Sequence, residues 1–574
     1  MDYIAEYKRW LSEPTLDEKS REELLGIENN EEEKEFRFSS GLTFGTAGLR
    51  GIMMAGTNAM NVYTVAQATQ GLANVIIDAD KCEMGVIVGM DSRNNSRLFA
   101  ETAASVLAAN GIKVYIFEDL RPSPVLSFAV RELGCIAGIN VTASHNPAEY
   151  NGYKVYWEDG GQLPPDHADS VSKYIEAIDI FTGVKKCSFD GAVSDGRIIV
   201  VGKEIDDRYI EEVLREQVEP HAVDAVADDL KIVYTPLHGA GHILVPRVLR
   251  EIGLKHLYPV EEQMVLDGDF PTVKSPNPEN FEAFELGLEL AKKVGSDLII
   301  ATDPDADRLA VMTRRSSTGE FINLTGNQVG ALLIDYIASS LSEQDKMPEN
   351  PYAIKTIVTT ELVTKICESH GVTLHNVLTG FKFIGEVIKK YEVTGHDTFL
   401  FGFEESYGYL KGTYARDKDS VVASMLVTEM AASYMKKGMT LADALDRLFE
   451  KHGYFLEGVK NIYMEGLDGL EKMAALMDEL RNSPPTHIGG RRVVSVRDYL
   501  KNTVTDIDSG AVTETGLPKS NVLYFVVDNG DRIIMRPSGT EPKIKLYMLT
   551  HADTYEETKR QCDAYMKDTD SFVD

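Results

Sequence analysis

The sequence predicts an α/β protein with three mixed α/β domains and a smaller α+β domain at the C-terminus. Three observations carry that expectation. The chain has 574 residues, which at roughly 150 residues per domain makes about four domains. From about residue 41, short apolar runs alternate with longer amphipathic stretches, the pattern of βα units and largely parallel sheets. About the last hundred residues break that rhythm with closely spaced strands around an Asn-Gly turn. The expected domains are 1–200, 201–325, 326–455 and 456–574.

Each element has its reason. Residues 1–40 are charged and helical in pattern, with Glu31-Glu-Glu-Lys-Glu35 on a solvated face. Gly85-Val-Ile-Val-Gly89, Ile112–Phe117 and Cys135–Val141 read as buried strands of the first domain. Leu230–Tyr234 and Asp297–Ala301 belong to the second, and Thr356–Thr360 and Thr398–Phe401 to the third. At the C-terminus, Val522–Val527 and Arg532–Met535 flank Asp528-Asn-Gly-Asp531. Asn and Gly both accept positive φ, so this joint is a hairpin. Lys543–Met548 then alternates polar and apolar residues, as an antiparallel strand does.

Composition narrows the function. The net charge is −31, which argues against a general nucleic-acid binder with its basic footprint. A locally positive cleft for a small anionic substrate remains compatible with an acidic chain. No run of about 18 apolar residues is present, and no membrane span is expected. The start, Met1-Asp-Tyr-Ile-Ala-Glu-Tyr-Lys8, is not that of a signal peptide. Five scattered cysteines without a Cys-x-x-Cys fit reduced intracellular thiols rather than zinc ligands. A cytoplasmic protein is expected.

Five segments carry chemistry. Thr142-Ala-Ser-His-Asn-Pro147 follows an apolar strand, which sets Ser144 on a loop at a strand's carboxyl end, where open α/β sheets bind ligands. Alone it also fits an ordinary polar turn. Thr302-Asp-Pro-Asp-Ala-Asp-Arg308 follows another buried strand. Asp303, Asp305 and Asp307 alternate, and three clustered carboxylates repel unless a cation lies among them. All-oxygen ligation suits Mg²⁺ or Ca²⁺. An EF-hand is excluded, because Arg308 and Arg314 occupy its glycine and glutamate positions.

Arg536-Pro-Ser-Gly-Thr-Glu-Pro542 lies between two C-terminal strands. Arg536, Ser538, Gly539 and Thr540 offer charged, hydroxyl and backbone donors suited to a phosphate dianion. Gly402-Phe-Glu-Glu-Ser-Tyr-Gly408 presents Glu404 and Ser406, acceptor and donor for sugar hydroxyls. Phe44-Gly-Thr-Ala-Gly-Leu-Arg-Gly51 and Gly89-Met-Asp-Ser-Arg93 supply Arg50 and Arg93 as candidate anion contacts. No Gly-x-x-x-x-Gly-Lys-Ser/Thr is present, and Gly239-Ala-Gly-His-Ile-Leu244 lacks the third glycine of a dinucleotide loop, so ATP and NAD are not expected.

Serine loop, three-aspartate loop, Glu-x-Ser loop and Arg-x-Ser-Gly-Thr loop occur in that order from about Phe44 to Met548. Together they resemble the α-D-phosphohexomutase family, the phosphoglucomutases and phosphomannomutases. Within it, Gly402–Gly408, Thr379-Gly-Phe-Lys-Phe-Ile-Gly385 and Tyr234-Thr-Pro-Leu-His-Gly-Ala-Gly241 are similar to the phosphoglucomutase-2 and phosphopentomutase branch. The resemblance implies four domains around a central cleft and an enzyme that interconverts glucose 1-phosphate and glucose 6-phosphate. It implies Ser144 as a phosphoserine, with Asp303, Asp305, Asp307 and a serine-phosphate oxygen as Mg²⁺ ligands. It also implies a glucose 1,6-bisphosphate intermediate that serves as activator.

Glu404 and Ser406 match the sugar loop, and Arg536, Ser538, Gly539 and Thr540 the phosphate loop. Lys382, Arg308 and Arg416 match basic positions around the cleft. Lys154 and His145 are the two candidates for proton transfer; Lys154 would need a lowered pKa to act as a base. The implied partner is a small phosphosugar, with no nucleic acid and no membrane; monomer and dimer both fit.

The chain departs from some bacterial bifunctional mutases, which carry a histidine where Phe381 stands and smaller residues at Phe403 and Tyr407. Those departures point away from mannose 1-phosphate and leave pentose phosphates open. The competing readings are a phosphopentomutase or phosphomannomutase of the same mechanism, a Mg²⁺-dependent phosphatase, and a non-catalytic phosphosugar-binding protein.

Overall fold

The structure, a computed structural model, describes residues 2–45, 48–464, 469–538 and 543–572. It divides into two compact units. The first comprises Met1–Thr325, Gly385–Gly395 and Ser406–Thr440; the second comprises Gly326–Ile384, His396–Glu405 and Leu441–Asp574. Among the described residues no helix is long and apolar enough to cross a membrane.

The first unit begins with three helices, Tyr3–Ser12, Glu18–Gly26 and Glu31–Phe38. Asp2, Asp17 and Asn30 cap them by accepting backbone N–H bonds. Tyr7, Trp10 and Phe38 turn inward and pack with Tyr63 and Ile180.

A six-stranded sheet follows: β1 (Gly48–Ile52), β2 (Val86–Met90), β3 (Val114–Phe117), β4 (Ala137–Val141), β5 (Tyr150–Trp157) and β6 (Ile198–Val201), in the order β1-β5-β4-β2-β3-β6. A second sheet of the same unit contains β7 (Lys231–Thr235), β8 (His256–Pro259), β9 (Leu298–Thr302), β10 (Leu309–Arg314) and β11 (Phe321–Leu324), ordered β11-β10-β9-β7-β8. β2, β4 and β9 are buried along their whole length, which is why they read as unbroken apolar runs.

The expectation of largely parallel sheets holds for β2, β3, β4 and β6 and for β7, β8 and β9. It fails at the edges. β5 returns antiparallel beside β4 and pairs β1 antiparallel, and β10 and β11 do the same beside β9. The reason is connection length: segments 142–149 and 303–308 are too short for the crossover a parallel neighbour requires. The serine loop and the aspartate loop are those two short returns.

The second unit holds β12 (Pro351–Thr356), β13 (Thr373–Val377) and β14 (Thr398–Glu404), with β12 central and parallel to both neighbours. The short strand β15 (Gly408–Leu410) belongs to the first unit. The C-terminal sheet of the second unit is antiparallel, as expected. It is built from β16 (Tyr454–Tyr463), β17 (His487–Ile488), β18 (Arg491–Asp498), β19 (Thr503–Asp506), β20 (Val512–Thr513), β21 (Leu523–Val527), β22 (Arg532–Pro537) and β23 (Lys543–Ala552). β21 and β22 form the hairpin around Asp528–Asp531, with Gly530 at φ +88° in the left-handed region.

Candidate active site

Two loops meet in the first unit. Ser144 follows β4, is buried, and has φ +51°, a left-handed conformation that costs a non-glycine residue free energy. Its N–H donates to Thr142 Oγ1 at 2.8 Å, and its Oγ donates to Asp303 Oδ2 at 2.6 Å. His145 Nδ1 lies 3.1 Å from the same Oγ.

Arg93, expected on a substrate anion, does something else. Its guanidinium donates to the carbonyls of Ser144 (2.6 Å), Pro147 (2.9 Å), Tyr150 (3.0 Å) and Asn146, while Asp91 sits 3.5 Å from its Nε and Phe270 lies beneath it. It is 3% exposed, so it holds the serine loop from behind. Arg416 is corrected in the same way. It is buried, and its donors go to Thr413 O, Ala415 O and Glu392. Arg50 is exposed on β1 and donates to Asn146 Oδ1 at 3.2 Å. Arg308 donates to Glu279 at 2.6 Å.

Asp303, Asp305 and Asp307 are all buried, and one oxygen from each falls within 4.8 Å of the others. Asp303 Oδ1 accepts the N–H groups of Asp307 (3.1 Å) and Arg308 (3.0 Å). Lys154, on β5, donates to Asp305 Oδ2 at 2.7 Å and lies 3.5 Å from Asp307 Oδ2. Ser123 Oγ also donates to Asp305 Oδ2, at 2.8 Å.

Three further residues were not anticipated. Lys418 Nζ lies 3.1 Å from Asp307 Oδ2 and donates to Asp417 at 3.0 Å, and Asp417 accepts the Tyr156 hydroxyl at 2.8 Å. The available signal was Arg416-Asp-Lys-Asp419, a charge run leading into the largely buried helix Ser420–Lys436. Such a run is usually a solvated helix start; here Asp417, Lys418 and Asp419 are all buried.

The electrostatics follow from this crowding. Burial, and then the charges of Asp305 and Asp307, push the Asp303 carboxyl well above the usual carboxylate range. Burial acts the same way on Asp305, but the Lys154 ammonium outweighs it and holds that carboxyl low. Burial alone would lower Lys154, yet Asp305 and Asp307 keep it above its ordinary value. The lowered Lys154 pKa required of a base is therefore not what this arrangement produces. Burial, followed by Arg308 and Arg50, holds His145 well below its ordinary value, so its ring is neutral.

The donor set suits a hard divalent cation. It is all oxygen and buried, and Asp305 Oδ1 and Asp307 Oδ1 accept no hydrogen bond. Buried acceptors left unmatched are costly, and a cation would engage them. The triad can hold a metal ion.

The remaining candidates lie mostly in the second unit. Lys382 opens the helix Phe381–Thr394, with its Nζ 5.0 Å from the Phe383 ring centre. Glu404 ends β14 and is buried; Ser406, in the first unit, is half-buried in the turn that follows. Arg536 is half-buried on β22, and Ser538 donates its N–H to Lys543 O at 2.7 Å. Gly539 and Thr540 lie outside the described residues.

Comparison with known proteins agrees with the sequence resemblance. Family models described as phosphoglucomutase/phosphomannomutase alpha/beta/alpha domains I, II and III and C-terminal domain match residues 41–180, 207–319, 325–452 and 489–567. A phosphoglucomutase from Staphylococcus saprophyticus is 38% identical over 534 residues, covering 93% of this chain and 95% of its own. One from Staphylococcus aureus is 36% identical over 534 residues, covering 92% and 93%. Among solved structures, the open form of the Paramecium phosphoprotein pp63/parafusin, a phosphoglucomutase, shares the fold with a TM-score of 0.69. Its identity is 19%, and the match covers 93% of this chain and 94% of that one. The α/β fold class thus agrees with independent likeness over nearly the whole chain, and the chain belongs to the phosphoglucomutase/phosphomannomutase family of mutases.

Proposed function

We infer that this chain is a phosphoglucomutase, an intramolecular phosphotransferase that interconverts glucose 1-phosphate and glucose 6-phosphate through phospho-Ser144 and glucose 1,6-bisphosphate. The observation that carries the reading is the 2.6 Å bond from Ser144 Oγ to Asp303 within a buried triad of carboxylates. A serine bearing a phosphate of roughly −1.5 to −2 charge beside three carboxylates calls for a cation. Asp303, Asp305, Asp307 and an oxygen on Ser144 would hold Mg²⁺, which when bound neutralises charge on the transferring phosphoryl group.

The chain's own residues do the rest. The phosphorus–oxygen bond to Ser144 Oγ breaks as one forms to the free sugar hydroxyl, and that hydroxyl's proton passes to a base. The bisphosphate then presents its other phosphate, Ser144 Oγ accepts it, and the sugar oxygen recovers a proton. His145, 3.1 Å from Ser144 Oγ, touches the serine itself. Lys154 stands among the carboxylates as an ammonium, where it can return a proton to the sugar oxygen, which leaves the neutral His145 ring as the candidate acceptor. Glu404, Ser406 and Lys382 would bind the sugar. Arg536, Ser538, Gly539 and Thr540 would bind the distal phosphate, and Arg50 and Arg308 would add positive charge near the reacting one. Arg93 and Arg416 act as positioning residues.

The test joins a variant to a substrate panel. Ser144→Ala should reduce turnover to background while the fold persists; near-wild-type turnover would sink the phosphoserine. Glucose, mannose, ribose and N-acetylglucosamine 1-phosphates, each supplied with glucose 1,6-bisphosphate, should rank glucose first. A higher kcat/KM for ribose 1-phosphate would replace the substrate but keep the mechanism. Steady release of inorganic phosphate would favour a phosphatase instead.

A further inference from the structure

The motif Tyr234–Gly241 carries part of the family resemblance, its Gly239 and Gly241 begin a dinucleotide-like pattern that lacks the third glycine, and nothing in the reaction above employs it. Its placement gives it work. β7 and β9 are parallel neighbours, with Thr235 opposite Ala301, so the loop leaving β7 lies beside the aspartate loop leaving β9.

The loop is built to be rigid. Leu237 and His238 are consecutive non-glycine residues at φ +47° and +62°. His238 is 1% exposed, and both its ring nitrogens are engaged, Nδ1 with Val265 O at 2.7 Å and Nε2 with Thr272 Oγ1 at 2.8 Å. Its N–H donates to Gln263 O at 2.8 Å. Such strain persists only where the surroundings over-determine it.

What the rigid loop touches is the backbone between the carboxylates. Ala240 N–H donates to Pro304 O at 2.7 Å. Gly239 approaches so closely that a Cβ there would lie 2.4 Å from Pro304 Cα. A Cβ on Gly241 would lie 2.5 Å from the Tyr234 hydroxyl and 2.7 Å from Thr302 Oγ1. The next two carbonyls are held from elsewhere. Asp305 O accepts Ser123 N–H at 2.8 Å, and Ala306 O accepts Ser420 Oγ at 2.5 Å. Three successive carbonyls are thus gripped by three separate segments of the first unit.

We propose that this three-point clasp sets the spacing of Asp303, Asp305 and Asp307 for cation binding, with Gly239 and Ala240, Ser123 and Ser420 as positioning residues. None of their backbone contacts reaches the cation; they fix the atoms that would. The inference rests on reading the triad as a cation site.

The test is Mn²⁺ titration of the purified full chain by calorimetry, without substrate. Gly239→Ala drives a methyl against Pro304 and should weaken Mn²⁺ roughly 10–100-fold, as loss of ligand-orienting partners does. The half-saturating Mg²⁺ in the mutase assay should rise with it, while KM for glucose 1-phosphate holds. Gly191→Ala, whose Cβ would meet Ser188 only at 3.4 Å, should bind like wild type. Ser420→Ala adds no atom, keeps the fold, and should weaken Mn²⁺ by about fivefold or less. Wild-type Mn²⁺ affinity in both Gly239→Ala and Ser420→Ala overturns the clasp alone. A wild type that binds no Mn²⁺ overturns the cation reading and the clasp with it.

Discussion

The serine loop and the aspartate loop occupy equivalent places. Each leaves the carboxyl end of a buried strand, each turns back into an antiparallel partner, and each contains a residue at φ +51°, Ser144 in one and Ala306 in the other. They are secured in opposite ways. One guanidinium, that of Arg93, reaches three carbonyls of the serine loop and that of Tyr150, where β5 begins. Three neutral donors from three segments grip successive carbonyls of the aspartate loop. Electrostatics accounts for part of the choice. A cation behind Ser144 favours a phosphate there, whereas the aspartates already meet the ammoniums of Lys154 and Lys418, and neutral donors on their carbonyls add no further charge to compete with a metal. Redundancy accounts for another part: most side-chain donors to the carbonyls of one loop come from a single residue, with Ser275 Oγ on His145 O besides, whereas the donors to the other are spread over three segments.

That contrast can be broken at its joint. Asp303→Asn replaces the acceptor of the bond between the loops, and should lower turnover by more than the roughly 100-fold upper range for outer partners. Mg²⁺ dependence should largely vanish; a rate unchanged at limiting Mg²⁺ would remove both the joint and the metal site. Next in size is Arg93→Gln, which leaves several buried carbonyls unpaired and Asp91 uncompensated. It should cost about 3–5 kcal/mol of stability in urea unfolding and most of the turnover. Arg93→Lys should rescue it only in part, because one ammonium cannot fork to four acceptors. A wild-type urea midpoint for Arg93→Gln would show that the serine loop has other supports. Smallest is Ser420→Ala, about 1 kcal/mol, since two clasps remain; a loss as large as that of Arg93→Gln would end the distinction between single and distributed support.

Legibility followed the range of the interaction. Ser144 and the three aspartates were readable because each sits within a few residues of a buried strand, and local pattern sets that placement. The C-terminal hairpin was readable for the same reason, since Asn529-Gly530 specifies its own turn. The antiparallel returns β5 and β10 were missed although the short connections were visible, because alternation with helices dominated the reading. Arg93 was assigned to an anion because an arginine after a strand looks alike whether it meets a phosphate or a carbonyl, and Arg416 because it matches a family position. Ser123, Asp417 and Lys418 join the triad across more than a hundred residues of chain, and no local pattern encodes such a meeting. Gly239 carried a false nucleotide signal, although the need for a bare backbone was real.

The antiparallel return β5 acts as a ruler. Lys154 stands opposite Asn140 on one side and Gly48 on the other, and successive side chains of a strand face opposite ways. One residue inserted between Tyr150 and Lys154 would turn the ammonium to the far face of the sheet while leaving every motif intact. Chains of this family that differ by a single insertion there would keep the full set of sequence signatures and lose the amine from the carboxylates. For such a chain, strand register rather than motif content would decide whether the amine meets the carboxylates.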